Sequence, residues 1–264
     1  MDLKLKGKTA FISGSTSGIG FATAKELAKE GVKVIINGRK KLGVEAALKR
    51  FKKEMPEASI EGIAADLSSE KELVLLKNKI PVIDILVNNV GIYTSKSFFE
   101  TTDIEWQHQF EVNVMSGVRL SRYFLPKMIK SGWGRILFVS SECASLVPSD
   151  LIPYSTTKAT ILALSRGIAQ LTKGTAVTVN AVIPGSTMTE GAESFLNKLA
   201  QKENKSKTDV AANFFKTQRT SSLLQRFATV EEIASTITYI SSPLAAATNG
   251  AAIKIEGGST GGVF

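Results

Sequence analysis

Short apolar runs alternate with longer amphipathic stretches through the first two-thirds of the chain. The runs, such as VKVIIN, are almost uniformly apolar, which is typical of strands buried on both faces of a sheet. The longer stretches, such as GFATAKELAKEG, repeat apolar residues at helical spacing and end at glycine or polar residues. The pattern predicts strands at 9–13, 32–37, 59–66, 82–89, 135–141, 176–184 and 251–258, and helices at 20–31, 41–54, 69–79, 105–130, 153–173 and 229–241.

Strands that alternate with helices predict βαβ units, in which right-handed crossover helices join parallel strands. Such units build either an open sheet covered by helices on both faces or a closed barrel. The barrel needs eight units, whereas this pattern supplies about seven strands. We therefore expect an α/β fold of the Rossmann-like, doubly wound type, formed by residues 1–264 as a single domain.

Residues 186–228 interrupt this alternation with a long, polar stretch of helical character. The stretch follows the strand predicted at 176–184 and precedes the last predicted helix. Ligands of open α/β sheets bind outside the carboxyl ends of the strands, so an insertion at that edge is well placed to cover them. We expect residues 186–228 to form a helical substrate lid.

The charge of the chain is strongly positive, at +9, with 33 Lys and Arg residues against 24 Asp and Glu. Acidic residues interleave with the lysines along predicted helices, as in KELAKEGVK, and no basic run is interspersed with aromatic residues. We therefore expect no nucleic-acid partner. The surplus charge favours anionic small molecules, phosphorylated cofactors among them, or an acidic carrier protein.

Several classes of protein are disfavoured by what the chain lacks. The first residues do not form a signal-peptide core, and no apolar run reaches the roughly 18 residues of a membrane span. One cysteine, Cys143, and one histidine, His108, give no disulfide within the chain and make the usual zinc sites and Ser–His triads unpromising. We expect a cytoplasmic protein without a metal site and without membrane contact.

The first strand runs into a glycine-rich turn, SGSTSGIG, at residues 13–20. Glycines between a strand and a helix let the backbone approach a pyrophosphate, and the helix amino terminus offers N–H groups and a positive dipole end. The spacing of Gly14, Gly18 and Gly20 is G-x-x-x-G-x-G, not G-x-G-x-x-G. The alternative is a plain helix-initiating turn, but its position at the first strand–helix junction favours a dinucleotide site.

The end of the second strand bears on the choice between NAD and NADP. An acidic residue at this place binds the ribose 2′-OH of NAD, whereas this chain has Asn37, Gly38 and Arg39. The Arg39 guanidinium suits a 2′-phosphate, so NADP(H) is favoured over NAD(H). The alternative is that Arg39 merely begins a solvated helix. Asp66, at the end of the third strand, can cap the next turn or accept a hydrogen bond from the adenine.

Taken together, these motifs resemble those of the short-chain dehydrogenase/reductase family, and most closely its 3-oxoacyl-reductase-like branch. The resemblance extends over residues 6–258, and its motifs follow in the expected order. They are the glycine turn at 14–20, DL at 66–67, NNVG at 88–91, VNV at 112–114, VSS at 139–141, YSTTK at 154–158, NAVIPGSTMT at 180–189 and EGG at 256–258. Three positions depart from the family pattern: Ser13 stands for threonine, Val90 for alanine, and Ser17 where many NADP-dependent members carry a basic residue.

The resemblance implies a catalytic tetrad of Asn113, Ser141, Tyr154 and Lys158. Ser141 is preferred to Ser140 because it lies 13 residues before Tyr154, as in the family. Tyr154 would exchange the proton and Ser141 would hold the carbonyl oxygen. Lys158 would lower the pKa of Tyr154 and bind the nicotinamide ribose, and Asn113 would hold a water linking Lys158 to solvent.

The resemblance also implies a set of cofactor contacts along the carboxyl edge of the sheet. Asn89 and Gly91 would flank the cofactor's adenosine-side ribose, Thr187 would present its backbone to the nicotinamide carboxamide and Thr189 its hydroxyl. The full set is Gly14, Ser17, Gly18, Ile19, Gly20, Arg39, Asp66, Leu67, Asn89, Gly91, Tyr154, Lys158, Pro184, Gly185, Thr187 and Thr189.

The function expected from these residues is hydride transfer between NADP(H) and a carbonyl or secondary alcohol. The substrate could be a 3-oxoacyl thioester, a sugar, a polyol or a steroid-like alcohol. Alternatives are an NAD(H)-dependent alcohol or polyol dehydrogenase and, from another class, a non-catalytic nucleotide-sensing regulator.

The family also implies a homotetramer, or a homodimer, with the helices at 105–130 and 153–173 in one interface. Glu142 or Asp150 could recognise a polar or cationic substrate group, or be an ordinary solvated or capping acid.

Overall fold

The structure is a computed structural model that describes residues 1–262. Over these residues, seven parallel strands form one sheet in the order β3-β2-β1-β4-β5-β6-β7. The strands are β1 Thr9–Ile12, β2 Lys33–Gly38, β3 Ile60–Ala64, β4 Ile85–Asn88, β5 Gly134–Val139, β6 Val177–Pro184 and β7 Ala252–Ile255. The helices are α1 Gly18–Lys29, α2 Lys41–Glu54, α3 Glu70–Lys79, α4 Asp103–Phe110, α5 Ser116–Ser131, α6 Cys143–Leu146, α7 Ile152–Gln170, α8 Glu190–Glu203, α9 Lys207–Thr217 and α10 Val230–Ile240. The predicted doubly wound α/β fold is confirmed.

Two helical layers cover the sheet because its strands are apolar on both faces. In β1, Ala10 and Ile12 join the core beneath α1, α2 and α10, whereas Phe11 joins the core beneath α3, α5 and α7. Successive side chains of a strand point to opposite faces, so one short apolar run contributes to both cores. Within the described residues, no helix is both long and apolar enough to cross a membrane.

The register of the strands aligns their carboxyl ends at one edge of the sheet. Ile12 of β1 pairs with Val87 of β4, and Val139 of β5 pairs with Val182 of β6. The segments that follow these strands therefore emerge side by side. The strand order reverses between β1 and β4, which is the place where open α/β sheets bind ligands.

The helix predicted at 105–130 is continuous but not regular. It comprises α4 and α5 joined by a π-helical turn at Glu111–Met115. A π turn inserts one residue into the helix and occurs frequently at functional sites. Periodicity alone could not locate it, because one extra residue hardly disturbs the pattern of apolar positions. The short helix α6 was also not predicted.

Residues 186–228 contain α8 and α9, as the helical character of that stretch predicted. Thr189 caps α8 by accepting a hydrogen bond from the Ala192 N–H. Both helices are amphipathic, and their buried residues are few: Leu196 in α8, and Val210 and Phe215 in α9. The segment follows β6, so it begins at the carboxyl edge of the sheet.

Candidate functional site

The turn after β1 can be built only with glycine at two of its positions. Gly14 has φ +60°, and a Cβ there would lie 2.9 Å from the Val90 Cα. A Cβ at Gly20 would lie 2.5 Å from Asn89 Nδ2 and 2.8 Å from the Gly14 carbonyl oxygen. All three distances are too short for real atoms, so the turn lies directly against the loop that follows β4.

Polar side chains at the strand ends fix this turn. The Asn89 amide donates to the carbonyls of Ser13 and Gly14, at 3.0 and 2.9 Å. The Ser13 hydroxyl accepts from the N–H groups of Asn89 and Val90, and Asn37 Oδ1 accepts from the Gly14 N–H at 3.3 Å. In the sequence, Ser13 and Asn37 stand out only as substitutions within motifs. Their polarity at the ends of buried apolar runs was the signal for this structural role.

The amino terminus of α1 already holds an anionic group of the protein. The Gly18 N–H donates to Glu190 Oε2 at 2.8 Å, and Glu190 Oε1 lies 3.2 Å from Arg50 Nη1. Burial acts to raise the pKa of Glu190, but hydrogen bonds from the Glu190 and Gly18 N–H groups and the Arg50 charge outweigh it, so the pKa is lowered. A carboxylate at this place shows that the turn fits an anion, as a pyrophosphate requires. Sequence reasoning missed Glu190 and Arg50, which lie far from the turn along the chain.

The adenosine-side positions lie after β2 and β3. Arg39 is exposed, and its charge contributes to lowering the pKa of Asp66 against the opposing effect of burial. The Asp66 carboxylate accepts from the Ser68 N–H and hydroxyl, at 2.9 and 2.6 Å, so Asp66 caps this turn. Leu67 is buried in the core, which leaves only its backbone for a cofactor contact.

The remaining predicted cofactor positions line the same edge. Gly185 must be glycine, because a Cβ there would lie 2.7 Å from the Glu256 Cα. The Thr187 hydroxyl donates to the Gly185 carbonyl, and Thr189 packs against Gly18. The other members lie at the start of α1 (Ser17 and Ile19), at the end of β6 (Pro184), and beside Lys158 (Gly91).

Ser141, Tyr154 and Lys158 come together between the end of β5 and the start of α7. Ser141 lies close enough to the Tyr154 hydroxyl to act against the rise of its pKa, and Lys158 Nζ lies 5.6 Å from the centroid of the Tyr154 ring. Lys158 Nζ donates to the Val139 carbonyl at 2.8 Å. Ser140 is buried and donates to the Lys158 carbonyl. Of the two serines, therefore, Ser141 faces the tyrosine and Ser140 supports the helix.

Asn113 lies in the π-helical turn and reaches the loop after β4. Its Oδ1 accepts from the Ile92 N–H at 2.8 Å, and its Nδ2 donates to the Ile92 carbonyl and the Thr157 hydroxyl, at 2.9 and 3.0 Å. The side chain thus joins three elements beside Lys158. Its predicted role in holding a water remains a prediction.

Comparison with known proteins assigns this arrangement to a family. The family model described as short chain dehydrogenase matches residues 8–200. The chain belongs to the short-chain dehydrogenase family. The protein is 46% identical to the uncharacterised oxidoreductase YvaG of Bacillus subtilis (strain 168), over 100% of both chains. It is 32% identical to a 3-oxoacyl-[acyl-carrier-protein] reductase of Aquifex aeolicus (strain VF5), over 98% of this chain and 99% of that one.

A solved structure resembles the whole chain. The L-sorbose reductase of Gluconobacter frateurii, complexed with NADPH and L-sorbose, superposes with a TM-score of 0.91 at 28% identity, over 98% of each chain. This short-chain dehydrogenase is therefore an oxidoreductase with the nucleotide-binding fold of its family. Within residues 1–262 the structure shows no group of three or more His, Cys, Asp or Glu side chains that could hold a metal ion.

Burial shifts the pKa values of Tyr154 and Lys158 in opposite directions. It raises the pKa of Tyr154 above its ordinary value, against the effect of Ser141. It lowers the pKa of Lys158 to about 8. The Lys158 ammonium donates to the Val139 carbonyl, and its role in lowering the Tyr154 pKa remains a prediction.

Both acids singled out near this dehydrogenase site have partners within the chain. Asp150 accepts from the Ser95 hydroxyl at 2.5 Å, and its backbone carbonyl accepts from the Lys96 N–H at 2.9 Å, which ties two loops together. Glu142 is paired with Arg219 at 2.7 Å. A substrate cation is not needed to explain either acid. Tyr93, with its ring 5.7 Å from that of Tyr154, was not singled out from sequence.

Proposed function

We propose that the protein is an NADP(H)-dependent oxidoreductase that interconverts a carbonyl and a secondary alcohol. The observation that carries the proposal is the convergence of Ser141, Tyr154 and Lys158 beside the glycine turn, at one edge of the sheet. The bound nicotinamide would supply or accept the hydride at the substrate carbon. The chain's own residues then have to manage the proton on the substrate oxygen.

Tyr154 is the proton donor in the direction of reduction. The phenol is protonated at neutral pH, as a proton donor requires, although burial raises its pKa and so makes release of the proton harder. The Ser141 hydroxyl, which lies beside Tyr154, would donate to the same carbonyl oxygen and orient it. Lys158, with a pKa of about 8, is mostly charged at pH 7, so it stabilises the phenolate that forms when the proton leaves.

The substrate is a small carbonyl compound or alcohol, enclosed between this edge and the lid at residues 186–228. A 3-oxoacyl thioester is supported by the relative in Aquifex aeolicus, and a sugar by the sorbose reductase. The direct test is a screen that pairs NADPH and NADH with a panel of 3-oxoacyl thioesters, ketoses, polyols and steroid-like ketones. We expect turnover with NADPH. A clear preference for NADH would contradict the cofactor assignment.

Arg39→Ala should reduce the affinity for NADPH and not that for NADH. A charge-assisted, bidentate contact with the 2′-phosphate contributes to the binding free energy, and its loss should weaken NADPH binding about 10- to 100-fold. NADH lacks this phosphate, so its Kd should be unchanged. The measurement is calorimetric titration of both cofactors. Lys53→Ala, which removes an exposed charge at the far end of α2, is the control and should change neither Kd. Equal losses for both cofactors would contradict the role of Arg39.

Glu190→Gln should tighten the binding of both cofactors. The Glu190 carboxylate accepts the Gly18 N–H that a pyrophosphate would need, so it has to leave and its charge opposes the incoming anion. Removing the charge should lower the Kd of NADPH and NADH about 3- to 10-fold. Glu193→Gln is the matched control, because Glu193 lies in the same helical turn but pairs with Lys207. Weaker binding in Glu190→Gln would show that the carboxylate supports the cofactor instead.

An oligomer, as a homotetramer or homodimer, remains part of the proposal. Apolar side chains of α4 support it, since Ile104 is 78% exposed and Phe110 is 39% exposed. Large exposed apolar groups on one helix favour a protein interface.

A further inference from the structure

Glu142 joins the end of β5 to the lid through one carboxylate oxygen. It directly follows Ser141, and its side chain is 3% exposed. Glu142 Oε1 accepts from Arg219 Nε at 2.7 Å and from the Ser186 hydroxyl at 2.9 Å. The end of β5 and two points of the lid, its first residue Ser186 and Arg219, therefore meet at this carboxylate.

Arg219 is a rigid part of the lid and not a flexible surface side chain. It follows α9, and its backbone N–H donates to the Phe214 carbonyl at 3.1 Å. Its Nη1 donates to the Gln218 carbonyl, and its guanidinium lies 5.4 Å from the Phe214 ring centroid. The side chain is 12% exposed. The lid thus presents a fixed cation to the site.

The charge of Glu142 depends on this cation. Among residues 1–262, Arg219 is the only basic residue within ion-pair distance of Glu142. A buried carboxylate that loses its partner costs several kcal/mol. If the lid lifts, Arg219 leaves with it and Glu142 loses its only counter-charge among residues 1–262. The ion pair therefore favours the closed lid.

Backbone N–H groups on and after Glu142 hold the turn that carries Ser141, and Arg219 contacts this turn at Cys143. The Glu142 N–H donates to the Pro184 carbonyl at 2.8 Å, and the Cys143 N–H donates to Ser141 Oγ at 3.2 Å. Arg219 Nη2 lies 3.9 Å from Cys143 Sγ. Movement of the lid thus acts on the residues on either side of Glu142.

We propose that the Glu142–Arg219 ion pair holds the lid over the active site and positions Ser141 toward Tyr154. Glu142 and Arg219 are positioning residues, and the inference rests on the proposed function of this site. It also explains why a buried acid directly follows the serine: its partner is the lid and not the substrate.

Cys143 gives a test that needs no substrate, because it is the only cysteine of the chain and is buried beside Arg219. The rate of its alkylation by iodoacetamide should rise about 10-fold or more in Arg219→Met, since the thiol reacts when the lid opens. Burial raises the pKa of Cys143, and the Arg219 charge acts against that shift. Losing this charge would by itself slow the reaction, so faster labelling reports opening and not altered thiol acidity.

The double variant Glu142→Gln with Arg219→Met shows whether the two residues act as an ion pair or contribute independently to lid closure. Because the single change already breaks the contact, the double variant should label no faster than Arg219→Met. Arg226→Met is the control, as it breaks an exposed pair with Glu232 in the same segment, and should label at the native rate. All rates are normalised to those of the urea-unfolded chains.

The catalytic readout uses whichever carbonyl the screen identifies. Arg219→Met should lower kcat about 10-fold or more while the Kd of the cofactor stays unchanged. The inference would be overturned if Cys143 in Arg219→Met were alkylated at the native rate. It would also be overturned if the double variant were alkylated markedly faster than Arg219→Met, even if the enzyme turned over. Absence of any turnover by the unchanged chain, with labelling as expected, would instead overturn the proposed function and leave the lid contact standing.

Discussion

Tyr154→Phe is expected to reduce kcat by about 10²- to 10⁴-fold, the range for removing a general acid. The ring and its packing are kept, so only the hydroxyl that donates the proton is lost. The Kd of NADPH should change less than about 3-fold, because the glycine turn that holds the phosphates is untouched. The measurement is steady-state kinetics in both directions, together with calorimetric titration of the cofactor.

Tyr93→Phe is the matched control for this substitution. Its ring lies 5.7 Å from the Tyr154 ring, and the change removes one phenolic hydroxyl from the same pocket. Tyr93 is 62% exposed, so its hydroxyl is solvated and its loss should alter kcat less than about 3-fold. If the two variants lost activity equally, pocket polarity and not proton transfer would explain the effect. Cofactor binding by a chain without turnover on any carbonyl would favour the nucleotide-sensing alternative.

The sequence predicted the fold well because its main cue is local. Buried parallel strands are nearly uniform apolar runs, and each element of the alternation could be located from a few neighbouring residues. The predicted strand at 82–89 was longer than β4, Ile85–Asn88, since apolar residues continue beyond the hydrogen-bonded ladder. The π turn at Glu111–Met115 was missed because it changes the backbone by one residue without changing the polarity pattern.

The candidate site was only partly predictable, because contacts between residues far apart along the chain leave no pattern among neighbouring residues. Family motifs located Ser141, Tyr154 and Lys158, and the structure brings these side chains together. Arg219 and Glu190 lie in a segment predicted only as polar and helical. Their partners, Glu142 and Gly18, are far away along the chain, so only the folded chain reveals the pairing. The effect of burial on the Tyr154 pKa could not be predicted for a related reason, because burial depends on every surrounding element.

Gly20→Ala is expected to weaken the binding of NADPH and NADH about 10- to 100-fold and to destabilise the fold by about 1–3 kcal/mol. The new Cβ would lie 2.5 Å from Asn89 Nδ2, 2.8 Å from the Gly14 carbonyl oxygen and 2.9 Å from the Ser15 Cα. Asn89 cannot simply move aside, since its amide bridges the Ser13 and Gly14 carbonyls. The turn itself must shift, and with it the backbone that would contact the pyrophosphate.

Gly43→Ala separates this steric effect from the general consequence of replacing a helical glycine. Gly43 is the third residue of α2, as Gly20 is of α1. A Cβ at Gly43 would meet nothing within 4 Å in the described part of the chain. Alanine there should stabilise the helix by about 0.5–1 kcal/mol and leave both cofactor Kd values unchanged. Urea unfolding and calorimetric titration of the two variants measure both quantities. If Gly20→Ala bound the cofactors with native affinity, the turn would be able to accommodate a methyl group. Cofactor binding would then not depend on the close approach of Gly20 to Asn89.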